Sequence, residues 1–392
     1  MRSISEVISR RVQRIKISAT KEMPMIAAQV GGCVSLGQGV PSFATPAHVL
    51  DAVFEALRAD PGASKYSLQP GMPALRAVVA AQLKAEKGID ADPGAEVAIM
   101  VGAMEALLCA MLTLVDDGDE VLVPEPYYPS HVEQILLAGG APVLAPLRPE
   151  DWGLDVEGLR QRVTAKTKAV VVNTPHNPTG ANFREQDLRA LADLALEHDL
   201  YVICDDTYDY LVYDGGSAFS LGSIPELRDR LVLVSSFSKR YALTGWRVGY
   251  VYAAPALLNE MLKVHDCATI CAPTPAQYAA LAALAGPQAI FAGFREALQA
   301  RRDLLCDRLD RLGPRFSFIR PAGAFYLLLR CDIPGIDSRE LAIRLIREAK
   351  VITIPGGSFG PSGESHLRLS FGGTEDDITE ACARLGCWFE GV

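Results

Sequence analysis

The chain has 392 residues, 49% of them hydrophobic and 22% charged, a balance that fits a soluble globular protein of two or three domains with a large core. A formal net charge of −9 argues against a nucleic-acid backbone or an anionic membrane as partner. No apolar run is long enough to span a bilayer, and the nine cysteines follow no zinc or redox spacing, which points to reduced thiols, no metal site and a cytoplasmic address.

In chain order, "MRSISEVISRRVQRIKIS" is rich in Arg and Ser but carries Glu6 and lacks an apolar core, so it does not read as a targeting peptide. The first 45 residues fit a central sheet poorly. Then "EVAIMVG", "EVLVPEP", "AVVVNTP", "LYVICDD", "LVLVSSF" and "RVGYVYA" are apolar with little alternation, which predicts strands covered on both faces. Between two of them "REQDLRALADLALEHDL" is apolar at helical spacing. Strand, helix, strand implies parallel pairing with right-handed crossovers. Residues 46–290 are therefore expected to form an α/β domain with a mostly parallel, helix-covered sheet. "YAALAALAGPQAIFAGF" breaks at Gly-Pro into helix, loop, helix. A charged helix, "REALQARRDLLCDRLDRL", then "FSFIRPAGAFYLLLRC", "SRELAIRLIREA", "VITIPGG", "HLRLSF" and a final helix predict a smaller α+β domain of residues 1–45 and 291–392.

Ligands bind beyond the carboxyl ends of strands in open α/β sheets. Those ends carry Asn177 in "VVVNTPHNPTG", Asp205 and Tyr208 after "LYVICDD", and Ser236, Ser238, Lys239 and Arg247 after "LVLVSSF". Gly102 and Ala103 open an amphipathic helix whose N-terminal amides suit an anion. The spacing fits neither a P-loop nor a dinucleotide fingerprint. Most lysines at strand ends snorkel to solvent. Lys239 has a stronger reading, because burial and a neighbouring Arg247 both favour a neutral, nucleophilic amine. With Asp205 as anionic partner of a pyridinium nitrogen and a cup for one phosphate, the set describes pyridoxal 5'-phosphate.

"LGQGVPSFATP", "YSLQPGMPALR", "VGAMEAL", "PEPYYPS", "NTPHNPTG", "CDDTYDYL", "SFSKRYALTGWRVGY", "PAGAFYLLL", "PGGSFG" and "HLRLSF" follow one another in an order that resembles the class I/II aminotransferases, fold-type I enzymes of the aspartate aminotransferase superfamily, over nearly the whole chain. The resemblance implies that Lys239 is catalytic and holds the cofactor as a Schiff base. Asp205 would pair with the ring nitrogen, and Asn177 and Tyr208 with the ring hydroxyl. Gly102, Ala103, Ser236, Ser238 and Arg247 would bind the phosphate, Met104 would adjoin them, and Tyr128 would stack on the ring. Tyr66 would reach the phosphate of a neighbouring subunit, which makes the expected unit a homodimer. Arg368 would grip the substrate carboxylate, with Gly39 and Asn177 beside it. Asp206 reads as a solvated or capping acid, His131 and His176 as loop residues within reach of substrate, and Cys204 as packing behind the sheet.

The implied reaction moves an amino group from an L-amino acid to a 2-oxo acid. Aspartate aminotransferases resembling this chain often place a lysine for the distal carboxylate where Met104 stands. An apolar wall there favours a neutral, apolar or aromatic donor, unless an arginine of the N-terminal segment or of a partner restores the charge. Aspartate transamination and β-elimination on the same fold are the alternatives. A cofactor-sensing transcription regulator would need a DNA-binding domain ahead of Met1.

Overall fold

The apolar runs fold as one sheet because each can be covered on both sides. The computed structural model describes residues 7–313, 316–331 and 333–391. After β1 (Val34–Ser35) come β2 (Val97–Met100), β3 (Glu120–Glu125), β4 (Ala141–Pro146), β5 (Thr167–Asn173), β6 (Tyr201–Asp205), β7 (Leu231–Ser236) and β8 (Gly249–Ala253). The last seven form a single sheet in the order β2-β8-β7-β6-β5-β3-β4. Its neighbours from β7 to β4 are parallel. β8 runs antiparallel to both β7 and β2. The sheet is mostly parallel, as expected, with β8 the antiparallel strand, while β4 was not foreseen.

Alternate residues of each strand enter different cores, as the two-residue period requires. Val170, Val172, Val202, Leu231 and Leu233 meet Leu188, Leu191 and Ala195 of the helix Glu185–Glu197. Ala169, Val171, Ile203, Val232 and Val234 meet Ala106, Leu107, Ala110 and Met111 of the helix Gly102–Leu114. The sheet is thus buried from both sides, and its strand ends face a common edge.

A third core gathers the two ends of the chain. Met23 and Ala27 of the helix Ala19–Val30 and Leu36 pack with Leu298, Leu305, Phe325, Leu345, Leu369 and Phe389. Here β9 (Phe316–Ser317), β10 (Tyr326–Cys331), β12 (Ile354–Pro355) and β13 (His366–Ser370) make an antiparallel sheet, while β11 (Val351–Ile352) pairs in parallel with β1. Tyr208, Leu211 and Tyr213, just past β6, join this core and couple it to the large sheet. Among the described residues no helix is long and apolar enough to cross a membrane.

Candidate active site

A cavity of about 670 Å³ opens where the carboxyl ends of the large sheet meet the third core. β7 delivers Ser236, whose Oγ accepts from the Ser238 amide at 3.1 Å and so starts the short helix Phe237–Arg240. That turn carries Lys239 into the cavity, where its Nζ donates to the Gly39 carbonyl at 2.5 Å. Burial, with Arg247 and Arg368 near, pushes the Lys239 ammonium down to about 8.

β6 delivers two adjacent carboxylates to opposite sides. Asp205 lines the cavity, accepting from the Thr207 hydroxyl at 2.6 Å and amide at 3.2 Å and facing His131 Nε2 at 3.1 Å. Asp206 points the other way and pairs with Lys87, which also bridges to Asp209 at 2.5 Å. Asp206 is therefore neither solvated nor a cap: it is buried in an ion cluster, and burial raises its carboxyl to about 6. His131 departs from the loop reading, and His176, in a loop as read, is buried. His131 lies on the helix Pro129–Ala138, buried against Asp205, and His176 is buried with its Nδ1 2.8 Å from the Thr179 hydroxyl. Cys204 packs in the core as expected.

Asn177, held by its amide to Asn173 Oδ1 at 2.9 Å, turns its own amide between two partners. Nδ2 reaches the Tyr208 hydroxyl at 3.5 Å, and Oδ1 accepts from Arg368 at 3.2 Å. Arg368 is 2% exposed, donates to the Gly37 carbonyl at 2.8 Å and lies 4.5 Å from the Tyr326 ring centre. Its Nε has no hydrogen-bond partner and no carboxylate pairs with it among the described residues. A buried, uncompensated guanidinium costs several kcal/mol, so the site is complete only with an anion.

The helix Gly102–Leu114 opens on Gly102 at φ +73°, where an added Cβ would stand 2.7 Å from Arg247 Nη2. Glycine there lets the helix amides and the guanidinium approach one another, a cradle for an anion. Ala103 and the half-exposed Met104 line the cavity, and the Tyr128 hydroxyl sits 3.8 Å from Met104 Sδ. Counting side chains along the wall, Lys21, Lys239, Arg247 and Arg368 stand against one carboxylate, Asp205. In a chain of net charge −9, this is a cationic chamber.

All the predicted residues except Gly102, which backs onto Arg247, and Tyr66 line this chamber. Tyr66 is 76% exposed and not part of its wall. The sequence reading gave no role to Asn173, Tyr326 or Lys21, and took His131 for a loop residue near substrate rather than a partner of Asp205. Asn173 and Tyr326 sit inside motifs named above and were within reach, whereas nothing local marks Lys21 or the pairing of His131 with Asp205.

The family description "Aminotransferase class I and II" matches residues 32–385. The chain belongs to the class I and II aminotransferases. It is 37% identical over 381 residues to "Aromatic-amino-acid aminotransferase 2" of Thermococcus litoralis, covering 96% of this chain and 97% of that protein. The same figures relate it to "Aspartate aminotransferase" of Pyrococcus abyssi. Its structure superposes on "Aspartate aminotransferase from Thermus thermophilus with maleate" with a TM-score of 0.92 at 37% identity, covering 99% of this chain and all of that one. The fold is thus that of the fold-type I aminotransferases. This aminotransferase moves amino groups between amino acids and 2-oxo acids, and its family implies pyridoxal phosphate.

Proposed function

We propose that the cationic chamber holds pyridoxal phosphate against Lys239 and runs amino-group transfer from neutral L-amino acids to 2-oxo acids. The observation that carries this is four cations facing a single acid in a cavity at the strand ends: a phosphate and a substrate carboxylate answer that charge. Gly102, Ala103, Ser236, Ser238 and Arg247 would hold the phosphate, Asp205 the ring nitrogen, Asn177 and Tyr208 the ring hydroxyl, and Tyr128 the ring face. When bound, pyridoxal phosphate supplies an electrophilic carbon for the amino group and a protonated ring that draws off electrons.

The geometry supports the following contribution of the chain itself. Lys239, whose ammonium burial makes easier to deprotonate, is the amine that would link to the cofactor and then carry the proton off the substrate Cα. Arg368 takes the α-carboxylate with its free Nε side, while Gly37, Gly39 and Asn177 fix the surroundings. His131 and Thr207 keep Asp205 oriented. Val40, Met104, Leu107 and Tyr128 give an apolar wall suited to neutral, apolar or aromatic side chains.

We also assign the chain to a homodimer in the cytoplasm, supported by the displayed Tyr66 and by nine unpaired cysteines. The third core, which gathers both ends of the chain, supports domains of residues 46–290 and of 1–45 with 291–392, with Tyr208, Leu211, Tyr213, Phe291 and Leu328 packing across that division. Borohydride treatment of the yellow protein should leave the cofactor covalently on Lys239, and Lys239→Ala should lose most turnover while keeping some cofactor. An adduct on another lysine, or a protein that takes up no pyridoxal phosphate, overturns the reading.

A further inference from the structure

Behind the Gly102 cradle, a carboxylate and a buried imidazole meet outside the cavity wall. Glu105 sits in the first turn of the helix Gly102–Leu114, and its Oε2 reaches back to accept from the Val101 amide at 3.0 Å. Its Oε1 accepts from Cys109 Sγ at 3.0 Å and lies 2.7 Å from Nδ1 of His265, on the helix Pro255–Thr269. His265 is fully buried, and its Nε2 has no hydrogen-bond partner among the described residues. Thr269 Oγ1, 3.3 Å from the same Nδ1, donates to the His265 carbonyl at 3.2 Å. Both facts favour the tautomer with its proton on Nδ1, donated to Glu105. Burial raises the Glu105 carboxyl, but its donors outweigh that and hold it below the usual carboxylate range. From another side, Gln134 Nε2 donates to the Met104 carbonyl at 2.9 Å. The turn is thus tied at Val101 and at Met104.

Such ties answer a need of this helix start. Helix geometry leaves the amides of Gly102 and Ala103 without an intrahelical partner, free for an anion. Gly102, at φ +73°, has the backbone freedom that lets it approach Arg247, and the same freedom would let those amides turn away. We propose that Glu105, braced by His265, is a positioning residue that locks this turn so that the Gly102 and Ala103 amides stay aimed at the cofactor's phosphate. A carboxylate suits the task because its two oxygens serve two elements at once, the Val101 backbone and the His265 helix. The proposal rests on the pyridoxal phosphate reading and adds to it a brace that never touches the cofactor.

The test compares pyridoxal phosphate with pyridoxal in fluorescence titrations of cofactor-stripped protein, because only the first ligand carries a phosphate. Glu105→Ala should weaken pyridoxal phosphate about tenfold or more and pyridoxal by less than about threefold. Glu105→Gln keeps one acceptor oxygen and should fall between wild type and Glu105→Ala. His265→Phe should also weaken pyridoxal phosphate selectively. His265→Asn, whose amide nitrogen can stand where Nδ1 stands, should recover most of the loss. If Glu105→Ala does not fold, Glu105→Gln and the two His265 variants decide the matter. Equal weakening of both ligands overturns the proposal, and so does a lowered melting temperature with an unchanged ratio of the two affinities. A wild-type protein that binds both ligands equally well would instead sink the phosphate reading itself, and the proposal with it.

Discussion

Adjacent residues with opposite duties show what a single position decides. Asp205 and Asp206 follow one another, so the strand period sends one to the catalytic cavity and the other to Lys87. Asp205→Asn should cut turnover by orders of magnitude with little loss of stability, because the ring nitrogen loses its anion. Asp206→Asn should leave the cavity intact and cost roughly 1–3 kcal/mol of stability in urea melts, since Lys87 keeps Asp209. The place of Asp205 in the cavity was legible because it ends a predicted strand; the fate of Asp206 was not, because Lys87 lies 119 residues away. Lys239 gives a second residue-scale prediction. Its amine titrates near 8 when folded and at its ordinary 10.5 when unfolded. Between those values the unfolded chain binds more protons, so stability rises with pH there, and below 8 the full cost of the buried ammonium is present. In cofactor-free protein, Lys239→Met should therefore be more stable than wild type at pH 7. That advantage should shrink steadily from pH 8 to 10.5, as read from urea midpoints. A gap that is flat, or widens, across this window would contradict a buried ammonium.

Elements matter here through their ends. The helix Gly102–Leu114 is useful because its first residue sits at a positive φ against Arg247. Gly102→Ala adds both backbone strain and a methyl group in the guanidinium's place. We expect about a tenfold or greater loss of pyridoxal phosphate affinity in fluorescence titration, with the fold retained by circular dichroism. Six strands were readable because burial on both faces makes them nearly continuous apolar runs. β4 was not, because it is an edge strand paired only with β3, carries Pro142 and Pro146, and is only partly buried. The direction of β8 was also missed, yet it follows from length. Residues 237–248 form only short turns of helix, too little for the crossover that a parallel return requires. The part of the N-terminal helix in the cavity wall escaped because most of the other lining residues come from segments far along the chain, and no local pattern records that.

On the scale of the whole molecule, Tyr66 is the open question that the single chain poses. A tyrosine that is 76% exposed would be unremarked on a floppy tip, but its segment is fastened. The Lys65 carbonyl accepts from Thr274 at 2.5 Å, Ser67 accepts from Gln277 at 2.8 Å, and Gln69 donates to the Leu262 carbonyl at 2.7 Å. Leu68 beside it is 62% exposed, so a rigid loop displays an apolar pair to the outside. A twofold partner that takes Tyr66 into its own phosphate site accounts for this, and subunit mixing separates it from a role in the same chain. Tyr66→Ala homodimers should bind cofactor weakly, and Lys239→Ala homodimers should be inactive. A hybrid of the two has one site that joins an intact Lys239 to an intact Tyr66 from the other chain. After denaturation and refolding together, about a quarter of the wild-type sites should return, one in each hybrid formed at random. If Tyr66 serves its own subunit instead, the same mixture recovers nothing, because the subunit with Lys239 is the one that lacks the tyrosine.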